Sequence, residues 1–219
     1  MSARRRVGVL ISGRGSNMKA LIEAAAAKDY PAEIVLVVSN RADAAGVAIA
    51  AAAGIKTRTI PHKDFADRAT FDAALDGALR AAGVEIVCLA GFMRLFTPAF
   101  VERWRGRMLN IHPSLLPSFP GLDPHGQALA AGVRFSGCTV HFVTPAMDSG
   151  PIIAQAAVPV HADDTGESLA ARVLAAEHRL YPIALALVAE GRARMEGDRA
   201  VIAGCAAPAE ALFNPVPAP

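Results

Sequence analysis

Short β-branched apolar runs alternate with alanine-rich helical stretches along most of the chain, and the first run sets the pattern. Val7-Gly8-Val9-Leu10-Ile11 is uninterrupted by polar residues, as in a strand covered on both faces. It leads into Ser12-Gly13-Arg14-Gly15-Ser16-Asn17 and then a helical pattern from Met18 to Ala27. The alternation continues through a strand from Glu33 to Ser39, a helix from Ala44 to Ala53 and a short strand from Lys56 to Ile60. A polar loop from His62 to Asp67, a helix from Arg68 to Ala82 and the strand Ile86 to Leu89 follow. Strands and helices of these lengths in alternation require right-handed crossovers. The expected fold is a doubly wound α/β architecture of Rossmann type, with a mostly parallel sheet and helices on both faces.

The second half is less regular. Thr97-Pro98 reads as a helix start, with a threonine cap and proline in the first turn. Pro117 to Pro124 is a proline- and glycine-rich loop ended by a short helix from His125 to Ala131. Strands are expected over Ser136 to Val143 and Ile152 to Val160, with a turn-rich loop carrying Asp148 between them. A long helix from Glu167 to Glu190, interrupted by Pro182, precedes a terminal hairpin of Ala193 to Glu196 and Arg199 to Ile202. No linker divides the 219 residues. A single domain over 1–219 is expected, with an ordered core of about 6–203, because the Ala/Pro composition beyond Cys205 gives no reason for order.

Several classes of function are disfavoured. No apolar segment reaches bilayer-spanning length, and the basic start Met1 to Arg6 runs directly into the first strand, so the expected location is the cytoplasm. The formal charge of +2 is spread among interspersed acids and bases, which offers no footprint for nucleic acid. Cys88, Cys138 and Cys205 are far apart, implying neither a disulfide framework nor a zinc ribbon. Nothing fixes the oligomeric state, which is left open as monomer or weak homodimer.

The turn Ser12 to Asn17 places bare backbone N–H groups at a helix N-terminus, where the helix dipole also favours an anion. Ser16-Asn17 stands where a Walker A loop needs Lys-Ser/Thr, and Ser39-Asn40 where a dinucleotide fold wants an acid. A phosphate monoester fits better than a nucleotide. Asn110-Ile111-His112-Pro113-Ser114-Leu115-Leu116-Pro117 then runs from a buried strand into a proline-bounded loop. Strand side chains alternate, and the residue before a proline stays extended, so Asn110 and His112 project together at a strand end. In open α/β sheets that end faces the ligand crevice. Taken alone, an asparagine ending a strand and a single histidine are ordinary structural residues.

These segments in order, with Leu89-Ala90-Gly91-Phe92-Met93-Arg94, Val140-His141-Phe142-Val143 and Ala176-Glu177-His178, make the chain resemble the phosphoribosylglycinamide formyltransferases from Val7 to about Ile202. The resemblance implies small-molecule substrates, with 10-formyltetrahydrofolate as co-substrate and no metal. It assigns catalysis to Asn110, His112 and Asp148, and the ribotide to Gly15, Ser16, Asn17 and Glu177. Folate falls to Arg68, Met93, Arg94, Leu95, Phe96, Asn110, Val143 and Asp148. The chain departs from the pattern over Gly121 to His125, which receives no role, and at Leu174, where some relatives have a basic residue near the phosphate.

Amine attack on a formyl carbon develops negative charge on oxygen, and donors aimed at that oxygen contribute most to such catalysis. Asn110 and His112 are the expected donors, with Asp148 orienting the ring and favouring its protonated form. A Ser114-His112-Asp148 hydrolase is disfavoured because Ser114 lies two residues after His112 with no nucleophile elbow. Zinc at His112, His141 and Asp148 lacks recognised spacing. A methionyl-tRNA formyltransferase would require a further nucleic-acid-binding domain and a basic surface. A non-catalytic phosphate-binding module would leave the Asn110, His112 and Asp148 set unused.

Overall fold

The computed structural model describes residues 3–207 and 209–215; part of the tail expected to lack order lies outside them. Among the described residues, one sheet has the order β3-β2-β1-β4-β5-β6-β7. Its strands are β1 Arg5–Ile11, β2 Ala32–Ser39, β3 Thr57–Thr59, β4 Ile86–Leu89, β5 Met108–His112, β6 Phe135–Phe142 and β7 Ile152–Pro159. β1 to β5 pair in parallel, and β6 runs antiparallel to both β5 and β7. Helices α1 Ser16–Ala25, α2 Ala45–Ala52, α3 Arg68–Ala81, α4 Pro98–Arg103, α5 Pro124–Ala130 and α6 Gly166–Ala189 connect them. The hairpin β8 Ala193–Glu196 and β9 Arg199–Ile202 forms its own small sheet.

Two apolar clusters show that the sheet is covered on both faces. Val9, Ile11, Leu109, Ile111 and Val140 pack with α1 and α6 through Met18, Leu21 and Tyr181. Leu10, Val87, Leu89 and Met108 pack on the other face with Phe71, Leu75 and Leu79 of α3, with Phe100 of α4 and with Trp104 just after it. The alternation of Leu109 and Ile111 with Met108 leaves Asn110 and His112 on the α3–α4 face, by the two-residue period of a strand. Trp104 anchors this packing: it is buried, and its indole N–H donates to Asp76 at 3.2 Å.

α6 corrects one expectation, since it runs through Pro182 without a break. Proline removes one helical hydrogen bond. The helix is held on both sides of that position by Leu180, Tyr181, Ala184 and Leu185, all buried, and the Pro182 carbonyl accepts from the Tyr30 hydroxyl at 2.7 Å. Asn214, in the tail, donates to the Val160 carbonyl at 3.1 Å. Among the described residues, no helix is long and apolar enough to cross a membrane.

Candidate active site

The strand order reverses between β1 and β4, and the loops that leave these two strands border the crevice where α/β sheets bind ligands. Ser12 joins both sides. Its hydroxyl donates to Asn40 at 2.6 Å and accepts the Met93 N–H at 2.8 Å, while its own N–H donates to Gly91 O at 3.2 Å. Asn40 is thereby committed to structure at the position a dinucleotide fold gives to an acid.

Gly15 caps α1 in the left-handed region, at φ 75°, and no side chain caps the first turn. A Cβ there would lie 2.8 Å from the Gly46 backbone of α2. Gly15→Val should therefore destabilise the fold by at least about 1–3 kcal/mol, the cost of forcing a side chain into such a conformation. Thermal melts check this, and an unchanged midpoint would refute the tight turn.

Asn17 and Glu177, separate in sequence, meet where α1 crosses α6: the Asn17 amide donates to the Glu177 carboxyl at 2.8 Å. Glu177 helps line a cavity of about 490 Å³ together with Arg14, Pro113, His125, Glu167 and Leu174. The Leu174 wall is apolar, so it brings no cation to this cavity. Burial pushes the Glu177 carboxyl up to about 7 from 4.5, against the lowering effect of the Asn17 hydrogen bond. Between those two pH values the unfolded chain has released this proton and the folded chain has not, so this group makes stability fall as pH rises across the window. Glu177→Gln keeps the shape without the charge. It should match the wild type near pH 4.5 and exceed it at pH 8 by on the order of 3 kcal/mol. Urea melts at the two pH values test this, and a difference independent of pH would refute it.

On the other side of the crevice, residues after β4 alternate. Phe92, Arg94 and Phe96 turn inward, while Met93 and Leu95 are more than half exposed. Phe92, Phe96 and Phe100 stack with ring centroids 5.3 and 4.6 Å apart, and the Arg94 guanidinium lies over Phe71 at 5.9 Å. Asp72 ties this segment to α3 by accepting from the N–H and hydroxyl of Thr97 at 2.7 and 2.8 Å. Its carboxyl is raised first by burial, while the Thr97 hydrogen bonds and the cations Arg68 and Arg94 pull the other way. Arg68 thus sits at the start of α3, near the same carboxylate. Leu122 and Met147, in the two later loops, are also more than half exposed.

Asn110, His112 and Asp148 converge beyond β5. His112 is buried; its Nδ1 lies 3.4 Å from the Asp148 carboxylate and its Nε2 3.0 Å from the Phe119 carbonyl. A carbonyl only accepts, so Nε2 carries a hydrogen. Asp148, at φ 50°, also accepts the Gly121 N–H at 2.9 Å and so joins the 117–124 and 144–150 loops. Phe119 has φ 55°, which turns its carbonyl toward the ring. Val143 follows the end of β6, and its N–H donates to Met108 O at 2.8 Å. Ser114 is wholly buried and its hydroxyl donates to Ser118 O at 2.6 Å, which removes it as a nucleophile. Among the described residues, no group of three or more His, Cys, Asp and Glu side chains is arranged to hold a metal ion.

The formyl transferase family profile matches residues 5–185. The chain belongs to the formyl transferase family. This formyl transferase is 45% identical to the phosphoribosylglycinamide formyltransferase of Escherichia coli over 90% of this chain and 92% of that protein. It is 54% identical to the trifunctional purine biosynthetic protein adenosine-3 of Bos taurus over 87% of its own residues, yet spans only 19% of that relative's length. The solved structure of glycinamide ribonucleotide transformylase 1 from Symbiobacterium toebii superposes with a TM-score of 0.89 at 49% identity. That match covers 92% of this chain and 95% of the other.

The formyl transferase thus brings together Asn110, His112 and Asp148 in one place, Asn17 and Glu177 in another, and Arg68, Arg94 and Phe96 along a third wall. Sequence reading missed the carbonyl of Phe119, the N–H of Gly121, Asp72 and His141 as partners of these residues. His141 falls opposite Asn110 in the antiparallel β5–β6 pair, a register that no local sequence signal gives.

Proposed function

We propose that this formyl transferase moves the formyl group of 10-formyltetrahydrofolate to the primary amine of phosphoribosylglycinamide. The observation that carries this reading is the convergence of an amide, an imidazole and a carboxylate at the end of β5, in a sheet whose first helix starts at a glycine turn with no side-chain cap. The turn at Gly15, Ser16 and Asn17 takes the phosphate through backbone N–H groups and the α1 dipole, and Glu177 faces the ribotide in the adjoining cavity. The flat folate lies along Met93, Arg94, Leu95 and Phe96, bounded by Arg68, Asn110, Val143 and Asp148.

The amine nitrogen attacks the formyl carbon, forming a C–N bond and placing negative charge on oxygen. Asn110 donates a hydrogen bond to that oxygen, and His112 does so through Nδ1–H, the ring hydrogen not taken by the Phe119 carbonyl, while Asp148, 3.4 Å from that nitrogen, holds the imidazole and balances its charge. The C–N bond to folate then breaks, and the proton lost by the amine passes to the departing nitrogen, by way of water held near Asp148. On this reading its partners are small molecules.

Incubating the protein with both substrates and following release of tetrahydrofolate tests the reading. Formylated ribotide and tetrahydrofolate in equal amounts are expected. Formate release independent of the ribotide would replace transfer with hydrolysis, and neither product would leave a binding module.

A further inference from the structure

His141 has no part in the reaction as written, yet it faces Asn110 directly across the β5–β6 pair. The register of β6 against β7 slips between Val140 and His141, an irregularity of the kind that re-aims a side chain beside a site. His141 Nδ1 lies 2.9 Å from the Phe142 carbonyl, an acceptor only, so Nδ1 bears the ring hydrogen. The ring is buried, and burial, assisted by the nearby His112, holds its pKa below the ordinary histidine value against the Phe142 carbonyl and Asp148. A neutral ring with hydrogen on Nδ1 leaves only a lone pair on Nε2.

That lone pair meets the Asn110 amide at 3.2 Å. The nitrogen end of the amide satisfies it; the oxygen end would set two lone pairs against each other. Asp148 stands 4.0 Å from the same Nε2 and, as a carboxylate, cannot supply the missing hydrogen. Which way an asparagine amide points follows from such a network rather than from its own atoms. Here the Phe142 carbonyl sets the histidine tautomer, and the tautomer sets the amide.

We propose that His141 is a positioning residue whose Nε2 lone pair fixes the Asn110 amide with its second N–H turned toward the formyl oxygen. An amide turned over would present Oδ1 to the developing negative charge and convert a stabilising contact into a repulsive one. The inference rests on the reading of Asn110 as a donor to that oxygen.

The test combines His141→Leu and His141→Gln with Asn110→Ala, each assayed for kcat and for both KM values. His141→Leu should lower kcat by about tenfold to a hundredfold, bounded by the loss of the whole donor. Both KM values should hold within about twofold, since the contact matters in the transition state. His141→Gln places an acceptor oxygen near the position of Nε2 and should recover all but about fivefold of the rate. In the Asn110→Ala background His141→Leu should cost nothing further, because the two residues act as a unit. A multiplicative loss in the double variant, or a folded Gln variant as impaired as Leu, overturns the proposal. Should the Leu variant fail to fold, the Gln variant and a measurement independent of turnover decide. In nitrogen-15-labelled wild type, scalar coupling across the Asn110 Nδ2 to His141 Nε2 hydrogen bond is expected, with Nε2 free of hydrogen. A protonated Nε2 without that coupling overturns the inference, whereas failure of wild-type turnover with intact coupling overturns only the proposed reaction.

Discussion

Asp148→Asn should lower kcat by on the order of 10² to 10⁴, the range for a positioned acid–base group. The substitution is discriminating because it keeps the shape. One carboxylate oxygen serves both Gly121 N–H and His112 Nδ1, at 2.9 and 3.4 Å, and an amide oxygen can occupy the same place. What disappears is the negative charge. With Nε2 already donating to Phe119, His112 presents hydrogens toward acceptors on both sides only when doubly protonated, and Asp148 supplies the balancing charge. The variant should fold normally and bind the ribotide, whose proposed contacts are on α1 and α6. A kcat within about threefold of wild type would show that the carboxylate serves only to join the two loops.

Asn110→Ala should cost kcat on the order of 10² to 10³ with little change in either KM, corresponding to about 3–4 kcal/mol of transition-state stabilisation. The side chain is only partly buried, and its amide meets His141, so truncation leaves no large cavity. Loss of rate without loss of stability is therefore the signature of a donor to the oxyanion. Comparable losses in rate and in melting temperature would instead make Asn110 an element of the β5–β6 pair.

Much of this organisation was legible in the residues. Ile86–Leu89 and both strands of the hairpin fall at their expected bounds, because turn residues and a short apolar period delimit them. Asn110 and His112 share a face, as strand parity requires. The unbroken α6 was not legible, since a local rule for proline cannot register the buried side chains that hold the helix on either side. The partners of His112 and Asp148 were hidden for a related reason. They are backbone groups of Phe119 and Gly121, presented by a loop with positive φ at both residues, and a backbone group carries no sequence signature. His141 required the strand register, a long-range property, before its relation to Asn110 became visible.

The contact between Gly15 and Gly46 bears on how this scaffold can be redirected. A Cβ on Gly46 would meet the Ile11 side chain as well as the Gly15 backbone, so a change at either glycine demands compensation in a neighbouring element. A library aimed at a different phosphorylated acceptor would spend most of its members on misfolded turns if it diversified this loop. The opposite wall is more permissive. Ala170, Ala171 and Leu174 line the cavity beside Glu177 from successive turns of α6, and neither Gly15 nor Gly46 is among its lining residues, so larger or charged side chains there would reshape the proposed acceptor site without touching the crowded turn.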